Sequence, residues 1–282
     1  MRKQWNTISI LGVGLIGGSI GAAICQRKIA KKVVGIGRSA ARLRQAKKIG
    51  AVTSTTTQLE RGVAEADLVI VCTPSDQVAE HVLRVSQVCA PNTLITDAGS
   101  VKGKIVSQVE RTIGSKACFI GSHPLAGSEK TGCQYSDADL LVDRVVVVTP
   151  MRRTDQRQLA EIEKFWHLLG AQVIQMTPAA HDRTLATTSH LPHVVASALA
   201  AATPAHDLPC TATGWRDTTR IAAGDAELWR QILLGNRSHV LKSLDRFEKV
   251  LNSIRQAIEQ DHGGQLRKTL ATGKKIRDLV AD

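Results

Sequence analysis

The sequence predicts an α/β protein, a doubly wound parallel sheet followed by an all-α segment. Three observations carry this. Short apolar runs rich in Val and Ile alternate with helical periodicities up to residue 176, as strands do when crossover helices cover both faces of their sheet. A glycine-rich turn joins the first apolar run to the first helix. After Pro178 the strand pattern stops and only helical spacing remains.

The elements follow in order. Residues 7–12 read as a buried strand and 16–27 as a helix; 32–36 and 40–48 repeat the pair. A third strand at 67–72 ends at Thr73-Pro74 and leads to a helix over 76–89. Strand 93–97 precedes helix 102–113, and 118–121 and 144–149 are further strands. Helix 155–169 and strand 172–176 close the sheet. Beyond a domain boundary near residue 177, helices are predicted over 181–202, 226–234 and 237–260. In the last, Val240, Leu244, Phe247, Leu251, Ile254 and Ile258 recur every three or four residues, a heptad-like seam that suits either a core or a subunit interface.

Composition narrows the function classes. The 282 residues are 43% hydrophobic and 22% charged, as in a globular chain with a sizeable core. No apolar run reaches the roughly 20 residues that cross a bilayer, and Met1-Arg2-Lys3-Gln4-Trp5-Asn6 leads into no signal-peptide pattern, so cytoplasmic residence is expected. The six cysteines form no C-x-x-C pair and read as buried thiols, with no metal spacing. The formal charge is +12, and nearly all of the excess lies before Glu60, where eleven Lys or Arg stand against no acid. Such a field attracts an anionic ligand or a cofactor phosphate, or else it is a solvated helix face. With only 3% aromatic residues, stacking on single-stranded nucleic acid is not expected.

Gly12-Val13-Gly14-Leu15-Ile16-Gly17-Gly18-Ser19 is a G-x-G-x-x-G turn between strand and helix. Gly12 permits the tight turn, Gly14 lets the backbone approach a pyrophosphate, and Gly17 lets the helix pack on the sheet. Leu15 and Ile16 open the helix, whose free N–H groups face the anion. Residues 1–177 are therefore expected to form a dinucleotide-binding Rossmann domain. The second strand ends at Gly37-Arg38-Ser39, where an acid would select NAD. Arg38 and Ser39 suit a 2′-phosphate, so NADP is favoured over NAD.

Ligands of open α/β sheets sit beyond the carboxyl ends of strands. Three such ends carry polar groups: Cys72-Thr73-Pro74, Asp97-Ala98-Gly99-Ser100-Val101-Lys102, and Ser122-His123-Pro124 running on to Ser128. Any one of them is an ordinary turn, and Ser100 suits a helix N-cap. Together they outline an active-site rim. Oxidising an alcohol needs a base near the hydroxyl, and His123 is the best placed imidazole; Ser100 can steer the same hydroxyl or orient His123. In the helical segment, His190 and His193 frame Leu191-Pro192, and Arg216 and Arg220 stand four apart. On one helix face, two guanidiniums call for a dicarboxylate ligand or for a structural network with Asp225 and Glu227.

Read in order, G-V-G-L-I-G-G-S from Gly12, D-A-G-S-V-K from Asp97, S-H-P-L-A-G-S from Ser122, S-H-L-P-H from Ser189 and G-W-R-D-T-T-R-I-A from Gly214, with D-A-E-L-W ending at Trp229, span nearly the whole chain. On these motifs the chain resembles the prephenate/arogenate dehydrogenase family of tyrosine biosynthesis. The resemblance implies NAD(P)-dependent oxidative decarboxylation of prephenate to 4-hydroxyphenylpyruvate, with arogenate or dual cyclohexadienyl specificity as the alternative; His193 favours the prephenate-type members. It casts His123 as the base and Ser100 as its partner on the hydroxyl. Arg220 holds a substrate carboxylate, and Arg216, His190, His193 and Trp229 line the pocket. Thr73, Pro74 and Ser100 join the glycine loop around the cofactor. The helical segment, 178–282, becomes a substrate-binding and dimerisation domain, and the chain a homodimer with no metal, nucleic-acid or membrane partner. Rivals remain. A β-hydroxyacid dehydrogenase would carry a catalytic Lys-x-x-x-Asn, which is not evident; a non-catalytic dinucleotide-binding protein would bind the cofactor without turnover, and a nucleic-acid binder would show steep salt dependence.

Overall fold

The computed structural model describes residues 5–114, 117–127 and 130–280. Residues 1–4, read above for a targeting signal, and Ser128, which ends the third rim motif, lie outside them. The chain packs as two compact units, Met1–Asn236 and Arg237–Asp282.

The first unit opens with β1 (Trp5–Leu11), α1 (Leu15–Gln26), β2 (Ala30–Ile36) and α2 (Ala40–Lys48). A short strand β3 (Ser54–Thr56) and a short helix α3 (Leu59–Val63) follow, both too brief to register as periodic patterns. Then come β4 (Leu68–Val71), α4 (Val78–Val88), β5 (Leu94–Asp97), α5 (Gly103–Thr112), β6 (Cys118–Pro124), β7 (Val145–Thr149), α6 (Gln156–Leu168) and β8 (Gln172–Gln175). All eight strands form one sheet in the order β3-β2-β1-β4-β5-β6-β7-β8. The order reverses between β1 and β4, so a crevice opens there at the carboxyl ends.

Alternation sorts the core into two layers. On β4, Leu68 and Ile70 pack with β1 residues Ile8 and Ile10 beneath Ile20 and Ile24 of α1 and Phe165 and Trp166 of α6. Val69 and Val71 face the other way, with Val82 and Val85 of α4 and Ile105 and Val109 of α5. Each large apolar side chain so buried contributes roughly 1.5–3 kcal/mol of transfer free energy.

One pairing departs from the all-parallel expectation. β6 and β7 run antiparallel, matching Ser122 with Val148 and His123 with Val147. This pairing carries β6 on to Pro124, so His123 stands inside a strand rather than in the loop after one. The core also holds this strand end. The buried Trp166 Nε1–H donates to Ser122 Oγ at 3.0 Å, and Thr96 Oγ1 lies 2.8 Å from the same oxygen.

Further on are α7 (Pro178–Leu185), a π-helical turn at Ala186–His190, α8 (Leu191–Ala202), α9 (Thr213–Thr219) and α10 (Ala226–Gly235). The single helix expected over 181–202 is thus broken. Pro192, in the first turn of α8, lacks an N–H and crowds the carbonyl four residues back; the π turn absorbs this, with Leu191 N–H reaching the Ala186 carbonyl. The second unit is α11 (Arg237–Glu259) and α12 (Gly263–Arg277), the latter not anticipated from sequence. On α11, Val240 is buried, whereas Leu251 and Ile258 of the seam are exposed. No described helix is long and apolar enough to cross a membrane. Of the cysteines expected to be buried, only Cys133 is; Cys210 is exposed and the other four are partly covered.

Candidate functional site

The glycine turn sits at the β1/β4 crevice. Gly12 has φ +95°, and a Cβ there would stand 2.6 Å from the Cys72 carbonyl oxygen; one at Gly17 would collide with the Gly12 carbonyl. Both positions therefore exclude a side chain. Gly14 differs: nothing lies within 4 Å of its missing Cβ, and as the N-cap of α1 it offers no side-chain acceptor to the first-turn N–H groups. Open space in front of uncapped donors at a helix N-terminus fits a pyrophosphate, with Leu15, Ile16 and Gly17 supplying the amides. At the end of β2, Arg38 is exposed and Ser39 caps α2, accepting from Arg42 N–H at 3.4 Å. Thr73, after β4, is held through its Oγ1 by His81 Nδ1 at 2.9 Å.

A cavity of about 830 Å³ is lined by Ser100, His123, Ser189, His190, Arg220 and Trp229, among others. His123 Nδ1 lies 2.8 Å from His181 Nε2, and His181 Nδ1 lies 2.8 Å from Asp182 Oδ1. His181 is fully buried and Asp182 nearly so. Asp182 also accepts from the Lys102 and Gly103 N–H groups, at 2.8 Å each, and so caps α5 from eighty residues away. Ser100 is consequently not the cap of α5 and is left to the cavity; it makes no hydrogen bond to His123 among the described residues. Burial alone would raise the Asp182 carboxyl, but the hydrogen bonds from His181 and the two amides outweigh it and hold it below its ordinary value.

Burial, followed by the neighbouring His181, Lys102 and His190, holds the His123 pKa well below that of a free imidazole. Lys102 is wholly buried and paired with Asp97, and its ammonium also donates to the Ser122 carbonyl at 2.9 Å. Asp97 in turn accepts from Ser122 N–H at 3.0 Å. The D-A-G-S-V-K segment is thereby tied to the backbone beside His123.

The opposite wall is helical. His190 is buried, with Nδ1 3.2 Å from the Asn236 amide nitrogen; burial brings its pKa down to about 4. Trp229 stacks on His193, ring centroids 3.6 Å apart and 9° from parallel. His193 lies behind Trp229 and, like the exposed Arg216, does not line the cavity. Arg220 does line it. The structural network weighed for the two arginines is not formed among the described residues: Asp225 caps α10 through Leu228 N–H, and Glu227 pairs with Arg230. Arg220 thus brings positive charge to the cavity without an acidic partner among the described residues.

Sequence reading missed His181, Asp182, Lys102 and Asn236 as parts of this site. His181-Asp182 carried no local signal, since each does its work through partners far away in the chain. The buried lysine had one signal, its place five residues after Asp97 in the rim motif.

Comparison with known proteins gives consistent relatives. Residues 20–175 match the family described as prephenate dehydrogenase, nucleotide-binding domain, and residues 177–272 match prephenate dehydrogenase, dimerization domain. The chain is 32% identical to a Bacillus subtilis prephenate dehydrogenase, over 99% of this chain and 77% of that one. It is 30% identical to a Zymomonas mobilis cyclohexadienyl dehydrogenase, over 96% and 94%. The crystal structure of Aquifex aeolicus prephenate dehydrogenase, solved with hydroxyphenyl propionate and NAD+, superposes with a TM-score of 0.89 at 32% identity, covering 98% of each chain.

Proposed function

This chain belongs to the prephenate dehydrogenase family, and on that premise we propose that it converts prephenate to 4-hydroxyphenylpyruvate and CO2. The cofactor is a nicotinamide dinucleotide. Gly12, Gly14, Leu15, Ile16 and Gly17 would hold its pyrophosphate, with Arg38, Ser39, Thr73, Pro74 and Ser100 around it. When bound, it supplies the acceptor for the hydride that leaves the hydroxyl-bearing ring carbon.

The chain's own residues do the rest. His123, kept neutral by burial, takes the ring hydroxyl proton at Nε2. Ser100 orients that hydroxyl from the same rim. Arg220 pairs with a substrate carboxylate, a charge-assisted contact for which it has no acidic partner among the described residues. Trp229, stiffened by its stack on His193, packs against the ring, and His190 closes the wall. As the hydroxyl carbon becomes a carbonyl, the bond to the ring carboxylate breaks, CO2 departs, and the bonding pair completes the aromatic ring. The observation that carries this reading is the convergence of His123, Ser100 and Arg220 on one cavity, whose wall at Gly127 lies next to Ile16 of the glycine turn.

The match to a cyclohexadienyl dehydrogenase supports a second reading, in which arogenate also serves. Gly37, in place of the acid that follows the second strand in NAD-selective domains, with Arg38 and Ser39 beside it, supports NADP over NAD. The dimerization-domain match and the exposed Leu251, Ile258 and Leu270 support a homodimer through the second unit. We also place the division between the dinucleotide-binding and helical domains near residue 177. Arg216, away from the cavity in its own protomer, keeps a place in the pocket only through such an assembly.

The test is His123→Asn. Cofactor and prephenate should bind as before, while turnover falls about 10²–10⁴-fold, the worth of a general base. Near-normal kcat would remove His123 from the chemistry.

A further inference from the structure

We propose that His181 and Asp182 are positioning residues that lock His123 in the one tautomer able to act as a base toward the cavity. The inference rests on the dehydrogenase reading but stands on separate geometry. Asp182 is a carboxylate saturated by donors: Lys102 N–H and Gly103 N–H at 2.8 Å, and His181 Nδ1 at 2.8 Å. A carboxylate only accepts, so His181 carries its proton on Nδ1. Its Nε2 is then a lone pair, and the group facing it at 2.8 Å is His123 Nδ1. His123 must therefore donate from Nδ1, which leaves Nε2 unprotonated. That nitrogen has no hydrogen-bond partner among the described residues, and His123 lines the cavity.

The logic resembles that of a catalytic triad with one more ring in the line. When His123 takes a proton at Nε2, the new charge is held by the Nδ1–H bond to His181, whose own N–H rests on Asp182. No proton needs to leave His181; the chain orients and polarises. The anchor is stiff, because Asp182 is at once the cap of α5, and Asn236 Nδ2 donates to the Asp182 carbonyl at 2.6 Å. Besides His123, the charged and titratable groups that act on the pair are Lys102, itself held by Asp97, and His190, held by Asn236.

The experiment uses full-length protein saturated with cofactor. His181→Phe fills the site but offers no acceptor. Its kcat on prephenate should drop about ten- to hundredfold, part of the total worth of the base, with KM changed less than about twofold. His181→Gln, whose Oε1 can accept from His123, should recover to within about fivefold of the native rate. In parallel, ¹⁵N spectra of histidine-labelled native protein, with His123 assigned by loss of its signals in His123→Asn, should show a protonated Nδ1 and a bare Nε2. A protonated Nε2 in the native protein would overturn the proposal even if no variant folds. So would a Phe variant with native kcat, or Phe and Gln variants equally impaired. Failure of the native enzyme to turn over prephenate sinks the functional reading instead, and the tautomer spectrum still decides this one.

Discussion

Arg220 faces the cavity while the acids nearest to it in sequence are engaged elsewhere, Asp225 as a helix cap and Glu227 with Arg230. A guanidinium in that state has a ligand carboxylate as its natural partner. Replacing it by Gln keeps some hydrogen bonding and loses the charge. Prephenate KM should rise about ten- to hundredfold, the equivalent of a charge-assisted hydrogen bond, while cofactor affinity stays unchanged. A fall in cofactor affinity instead would assign Arg220 to the dinucleotide. At this scale the sequence was legible for the types of residue, since His123, Ser100 and Arg220 were singled out from their motifs. It was not legible for the company they keep. Arg216, four residues from Arg220, ended off the cavity because α9 finishes at Thr219 and a tighter turn begins at Arg220, so the two side chains do not share one regular face.

The turn between β2 and α2 makes the element-scale test. β2 ends at Ile36, whose carbonyl accepts from Gly12 N–H at 2.9 Å and so ties this strand end to the glycine turn, with the exposed Arg38 two residues on. An exposed arginine here acts on a phosphate through charge and little else. Arg38→Ala should weaken NADP binding about tenfold and leave NAD binding within about twofold; equal losses would defeat the phosphate argument. The π turn at Ala186–His190 is the other instructive element. Thr188, Ser189 and His190 of this turn line the cavity, so the place where Pro192 breaks helical spacing is also where the helical wall presents its polar groups. The proline was visible in the sequence. The turn that accommodates it depends on what the wall packs against.

Across the whole molecule, the buried imidazoles link stability to pH. His190 titrates near 4 in the folded chain, because of burial, against an ordinary value of 6.5. Between those values the unfolded chain binds a proton that the folded chain refuses. Stability is therefore full above about pH 6.5 and declines as pH falls toward 4, and His123, shifted the same way, adds to the decline. Calorimetry should show Tm falling steadily over that window; a flat Tm would mean that these rings are not held neutral in the folded state.

Although the short β3 and α3, the break near Pro192 and α12 escaped it, sequence by itself determined the order of the longer strands and helices up to residue 176, the glycine turn and the identity of the rim residues. These are local properties, since periodicity and backbone freedom are written in neighbouring residues. Tertiary structure decided the antiparallel turn of β7 that lengthens β6 around His123, the burial of Lys102 against Asp97, and the line from His123 through His181 to Asp182. The β6–β7 pairing and the contacts His123–His181 and Asp182–Lys102 N–H join groups dozens of residues apart, a meeting that no spacing rule along the chain encodes. The Lys102–Asp97 pair is close in sequence, and what packing decided there is its burial. Only the packed sheet and the helices over its rim bring these about.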